Sequence, residues 1–287
     1  MSYTSPDKVF SLKGDRQAII IDNQRYVGGV AWRQNMQTFD AAGFDWAPSS
    51  DFVLSYDYVW RVNRIFGSET FVPPFTDFKG DSHLINAKFK NLPVGTLTTY
   101  VYSLDLPNVA TPGVFSSNTF GAHLTGDAFG DASFWLEYAH QVDAYGSPFS
   151  YAANYVHGYL SSPIFGLTGK IGHEYLGSDN GRAFQTPLGT NHAFNGFADA
   201  FLVTPAGGLN DFYASIGKKF DCGLGLTGFY HYFWDDGFDI SRGQEIDVVA
   251  TMPLGKGFTA LAKGAFLWGQ GAQPDVTRVS LEVNYKY

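Results

Sequence analysis

Residues 278–287 read RVSLEVNYKY. Val279, Leu281, Val283, Tyr285 and Tyr287 fall on one face of an extended chain, and Ser280, Glu282, Asn284 and Lys286 fall on the other, because side chains alternate along a strand. One face is apolar and aromatic, the other charged. Residues 52–63 repeat the pattern, with Phe52, Leu54, Tyr56, Tyr58, Trp60 and Val62 set against Val53, Ser55, Asp57, Val59, Arg61 and Asn63. Ile85, Ala87 and Phe89 alternate with Asn86, Lys88 and Lys90, and Leu167, Gly169 and Ile171 with Thr168, Lys170 and Glu174. Helical periodicity is nearly absent.

Working outward, this spacing predicts about fourteen strands, at 12–22, 36–46, 52–64, 81–90, 96–104, 119–128, 133–141, 151–161, 167–177, 210–219, 226–234, 245–252, 259–268 and 278–287. Segments 36–46 and 96–104 alternate poorly and are placed by position. Each strand is near the 9–11 residues that a tilted strand needs to cross a bilayer. The connections sort themselves. Short ones at 47–51, 91–95, 129–132, 162–166, 220–225 and 253–258 alternate with long ones at 23–35, 65–80, 105–118, 142–150, 178–209, 235–244 and 269–277. Soluble antiparallel sheets also alternate polar with apolar, but they have no reason to sort their loops. A transmembrane β-barrel has one, because its periplasmic turns are short and its extracellular loops long. Trp60, Trp234, Trp268, Tyr285 and Tyr287 end the apolar faces, as interface girdles do. The expected fold is all-β, an antiparallel transmembrane barrel in the cell outer membrane, with outer-membrane lipid and the barrel-assembly machinery as partners.

Composition agrees. Of 287 residues 45% are hydrophobic and 16% charged, and the 26 Phe, 17 Tyr and 6 Trp outnumber the 27 Asp and Glu with the 19 Lys and Arg. Such a chain is not disordered, and it lacks the long uncharged run of a membrane helix. A net charge of -8 argues against nucleic acid. One cysteine, Cys222, excludes an internal disulfide. Residues 1–10, MSYTSPDKVF, carry no basic or apolar signal segment, which leaves either a cytoplasmic chain or an N-terminally incomplete one.

Residues 12–46, and within them Asp22-Asn23-Gln24-Arg25-Tyr26-Val27-Gly28, Trp32-Arg33-Gln34-Asn35 and Gln37-Thr38-Phe39-Asp40, resemble the alginate-export family of outer-membrane porins. So does a second block, Ala183-Phe184-Gln185-Thr186-Pro187-Leu188 with His192-Ala193-Phe194-Asn195-Gly196 and Ala198-Asp199, which looks like the family's long extracellular loop. The resemblance implies a passive channel, exporting an anionic polysaccharide in its best-known form. It also implies an eighteen-stranded barrel, so residues 1–287 read as a single barrel domain lacking a signal peptide and about four N-terminal strands.

Site chemistry is sparse. Five of the eight arginines, Arg16, Arg25, Arg33, Arg61 and Arg64, lie in the first 64 residues. Alternation puts Arg61, Asn63 and Lys88 on the lumen face, and Arg25 and Arg33 flank a loop able to fold inward. Guanidinium groups bind carboxylates in bidentate fashion, and basic rings select anions in pores. Arg25, Arg33, Arg61 and Lys88 are therefore the expected pore-lining, substrate-binding residues; the alternative is that they pair with Asp22, Asp40 and Asp57. Asp235, Asp236 and Asp239, with Glu245 and Asp247, read as turn carboxylates, the other readings being a glycosidase pair or a calcium site. No histidine pair has metal-binding spacing, so neither enzyme nor cofactor is expected. The expected function is passive passage of anionic or polar solutes, polysaccharide among them. The alternatives are a nonspecific porin and a soluble carbohydrate-binding β protein.

Overall fold

The computed structural model describes residues 1–32, 35–67, 76–107 and 113–286. Among the described residues the regular structure is almost entirely strand: β1 Ser2–Thr4, β2 Phe10–Gln17, β3 Thr38–Ser49, β4 Phe52–Asn63, β5 Asp77–Leu92, β6 Gly95–Leu104, β7 Ser117–Asp127, β8 Ser133–Asp143, β9 Ala152–Ile164, β10 Leu167–Leu176, β11 Ser178–Asp179, β12 Arg182–Ala183, β13 Leu209–Lys219, β14 Gly225–Trp234, β15 Ser241–Gly255, β16 Phe258–Gly269 and β17 Val276–Tyr285. Fifteen of them form one antiparallel sheet in sequence order, and β11 and β12 make a small separate hairpin. Among the described residues β1 pairs only with β2, and β17 only with β16. They are the open edges. The expected strand at 12–22 ends earlier, at Gln17, and β1 adds a strand to the fourteen expected.

Long strands form because β-branched and aromatic residues fill a pleated surface, and sequential hairpins set their order. Short turns such as 50–51, 93–94 and 165–166 lie at one end of the sheet. The long connections 18–37, 177–208, 235–240 and 270–275 lie at the other.

Facing follows parity over most of the sheet. Leu136, Val156, Ile171, Ile216, Ile246 and Leu281 are exposed on the outer face, with Leu281 81% exposed. The inner face holds Glu137, Tyr155, Glu174, Asp211, Glu245 and Asp247, all buried. Asp57 stands opposite the buried Leu84, and Asn86 is buried too, so both point inward as expected. Arg61 and Asn63 do not. A bulge at Trp60 puts an extra residue into β4, so Val59 and Val62 both face inward, 2% and 1% exposed, and Arg61 faces out. A one-residue insertion shifts every later side chain to the other face.

The buried core does not lie between two sheets. It lies where the long connections meet the inner face: Ile19, Val27, Phe184, Leu188 and Phe201 from loops pack with Tyr100, Tyr102, Tyr155, Leu176 and Phe233 from strands. The sheet wraps around its own loops.

Candidate functional site

Two long connections, 18–37 and 177–208, expected on the extracellular side as 23–35 and 178–209, fold against the inner face of the sheet and join. Val27 and Leu188 form a parallel bridge. The Gly28 N–H donates to the Leu188 carbonyl (3.0 Å), and Gln37 Nε2 donates to the Leu188 and Gly28 carbonyls (2.9 Å each). Gly28 permits this approach, since a Cβ there would stand 2.3 Å from Thr190 Oγ1.

Arg25 locks the junction. Its Nε lies 2.8 Å from Glu174 Oε1, and both side chains are 2% exposed. Nη2 donates to Asn195 Oδ1 at 3.0 Å, and the guanidinium stacks 4.7 Å over Phe194. Glu174 also accepts from Tyr155 Oη and Asn195 Nδ2, at 2.7 Å each. Burial works against the charge on Arg25, but Glu174 outweighs it and raises its pKa. Arg25 therefore pins loops together and does not line a passage, which corrects the expected role. Arg61, on the outer face, does not line one either. Arg33 lies outside the described residues.

Lys88 does lie on the inner face, opposite the buried Thr98. Its Nζ lies 3.0 Å from Asp22 Oδ1, and His123 Nε2 lies 3.1 Å from Asp22 Oδ2. Burial raises the Asp22 pKa, but His123 and Lys88 outweigh it and hold it at about 2. This cluster borders a cavity of about 290 Å³ lined also by Lys13, Asp45, Ser55 and Asp57.

A second cavity, of about 200 Å³, lies between β9, β10, β13, β14 and the inward loop. Tyr159, Phe194, Phe197, Tyr213 and Phe229 wall it with rings. Lys170 projects into the same space with Nζ 4.3 Å over the Tyr159 ring. His157, 4% exposed, accepts from or donates to Tyr213 Oη through Nε2 at 2.9 Å, while its Nδ1 has no hydrogen-bond partner. A buried polar atom left unsatisfied costs about 1–3 kcal/mol. Lys170 and Glu174 were on the polar face in the sequence, yet nothing there marked which polar residues would surround a cavity.

The remaining carboxylates hold loops. Asp235 Oδ1 accepts from the Asp239 and Ile240 N–H groups (2.9 and 3.1 Å), and Asp236 Oδ2 from the Ser178 N–H and hydroxyl (2.7 and 2.9 Å). Glu245 accepts from the Ala198 N–H (2.7 Å) and Asp247 from the Phe197 N–H (3.2 Å). Among the described residues no cluster could hold a metal ion, so the calcium alternative gains nothing.

No family model and no curated protein matches the sequence. Solved structures do match. Acinetobacter baumannii OccAB4 aligns with TM-score 0.75 at 14% identity, over 96% of this chain and 71% of that one. Pseudomonas aeruginosa OpdK, crystallised with vanillate, aligns with TM-score 0.74 at 16% identity, over 96% and 75%. A separate structure of OpdK, described as an outer membrane protein, gives TM-score 0.73 at 16% identity, over 96% and 77%. These neighbours are Occ and Opd proteins, so the resemblance to alginate exporters holds only at the level of the outer-membrane porin fold. The chain is an all-β antiparallel sheet with the fold of outer-membrane channel proteins.

Proposed function

We propose that this chain forms the wall of a passive outer-membrane channel for small polar solutes, single-ring acids first among them. The observation that carries the reading is the cavity beside Lys170 and His157. A ring slides between Phe194, Phe197, Phe229 and Tyr213, and an anionic group meets Lys170. Its volume, about 200 Å³, suits one substituted ring, since a dry cavity of about 150 Å³ already admits benzene. Weak, partly polar contacts of this kind let a solute enter and leave. Vanillate, bound in the OpdK structure, belongs to this class. Lys88 and Lys13 beside the larger cavity extend the route.

Two features support a membrane setting: the exposed apolar outer face and loop lengths sorted to the two ends. A polysaccharide is disfavoured as cargo, because the cavity of about 200 Å³ suits a single ring rather than a chain. Flux assays in liposomes with vanillate, cyclohexanecarboxylate and alginate oligomers test the reading. Vanillate should pass fastest and alginate oligomers should be retained. Lys170→Gln with His157→Phe should remove the preference for vanillate over cyclohexanecarboxylate. Equal rates for the two rings in the unmodified protein would overturn the aromatic reading.

A further inference from the structure

The outward turn of Arg61 places it in a row that the channel does not use. Arg16, Asp40, Arg61 and Lys79 stand directly opposite one another across β2, β3, β4 and β5 on the outer face. Arg16 grips Asp40 with two contacts (2.7 and 3.0 Å), and Arg61 Nε lies 2.8 Å from Asp77. The charges are layered. Asp40 and Asp77 are 14% and 13% exposed, while Arg16, Arg61 and Lys79 are 57%, 41% and 61% exposed. Asp81, beside them, accepts from the Tyr58 hydroxyl. Three carboxylates balance three cations, so net charge does not favour an anion here; the layering over Asp40 and Asp77 does, because Arg16, Arg61 and Lys79 form the outer layer there, while Asp81 is exposed beside them.

The row sits where the apolar belt ends. The next outward rows toward the short turns are Gly14, Ala42, Tyr58 and His83, then Leu12, Phe44, Tyr56 and Ile85. Aromatic residues mark the level of lipid headgroups, and the cations lie immediately beyond them on the long-loop side. Two irregularities build the row. The bulge at Trp60, one extra residue in β4 against β3, turns Arg61 outward, and bulges serve to re-aim side chains. Gly80, at φ 153°, carries β5 past Asp105, whose carbonyl oxygen would lie 1.9 Å from a Cβ. That irregular stretch lies beside Lys79.

We propose that Arg16, Arg61 and Lys79 bind the phosphate of a phosphorylated lipid headgroup in the leaflet on the long-loop side. The site rests on the membrane reading above and is continuous with its lipid-facing belt. Guanidinium groups match phosphate geometry in bidentate fashion, and ammonium adds a point charge.

Native mass spectrometry of the full chain in phosphatidylcholine nanodiscs tests this, with diphosphoryl lipid A and dephosphorylated lipid A as probes. The unmodified chain should hold the phosphorylated lipid about ten-fold or more tightly than its dephosphorylated form, given the strength of cations at a lipid surface. This comparison needs no variant. R16Q/R61Q/K79Q should abolish the preference, whereas K218Q/K219Q/K256Q at the opposite rim should keep it. Inorganic phosphate at equal concentration should not displace the lipid. No preference in the unmodified chain, a preference surviving the triple variant, or displacement by inorganic phosphate would each overturn the site while leaving the channel reading intact. A chain that fails to enter the nanodisc would overturn the membrane reading and this site with it.

Discussion

The two faces of β10 obey opposite rules. On its inner face Glu174 is 2% exposed and holds Arg25, Tyr155 and Asn195. On its outer face Ile171 is 65% exposed and touches no core. Three residues apart, one side chain depends on its partners and the other on its surroundings. The inside is held by specific charge pairing; the outside, in the proposed membrane setting, is held only by the match between apolar side chains and lipid. Losing a charge inside and gaining one outside should therefore both be costly, by different mechanisms.

The largest effect is expected inside. Glu174→Gln leaves the Arg25 guanidinium buried without its counter-charge, and breaking such a pair costs about 3–5 kcal/mol. Urea unfolding in lipid vesicles should show the loss, and a cost below about 1 kcal/mol would mean the loops are not pinned there. On the outer face Ile171→Arg should cost about 2–4 kcal/mol if the residue lies near mid-bilayer, read by the same unfolding assay. No cost in lipid would place this face in water.

Acid separates the faces further, because the outer face of β10 carries no carboxylate. Asp22, held at about 2 inside the lumen, titrates below its unfolded value near 3.9. Its contribution, about 2 kcal/mol, is fully present above pH 4 and lost as pH falls through 2. Asp22→Asn should remove that part of the acid sensitivity. An unchanged acid unfolding profile in Asp22→Asn would contradict the cluster with Lys88 and His123.

The smallest expected effect contrasts one lumen cation with one outward cation. In planar bilayers Lys88→Gln should move the reversal potential toward cations, and Arg61→Gln should leave it unchanged. A shift with Arg61→Gln would return that residue to the lumen.

The strands were legible because period-two alternation is local, and β17 keeps it from end to end. The same rule failed in β4, where one inserted residue at Trp60 reversed the facing of Arg61 and Asn63. Nothing local in the sequence marks a bulge. The inward course of 18–37 and 177–208 was only half legible. The Gly-rich segment near Arg25 suggested it, but the pairing of Arg25 with Glu174 joins residues far apart in the chain. The candidate cavity depends on four strands and an inward loop meeting, so its residues stood in the sequence merely as polar or aromatic positions. Lys170 is the clearest case: its facing was readable, its role was not.

Liposomes loaded with vanillate and with a six-sugar maltodextrin test the central claim, that inward loops on a lipid-facing sheet leave passage for single rings. With the unmodified chain in the bilayer, vanillate should leave and the maltodextrin stay. Replacing residues 189–199, the stretch bearing Asn195 and the N–H groups held by Glu245 and Asp247, by a short glycine-serine linker should release both. Retention of vanillate by the unmodified chain, or release of both solutes at similar rates, would contradict it.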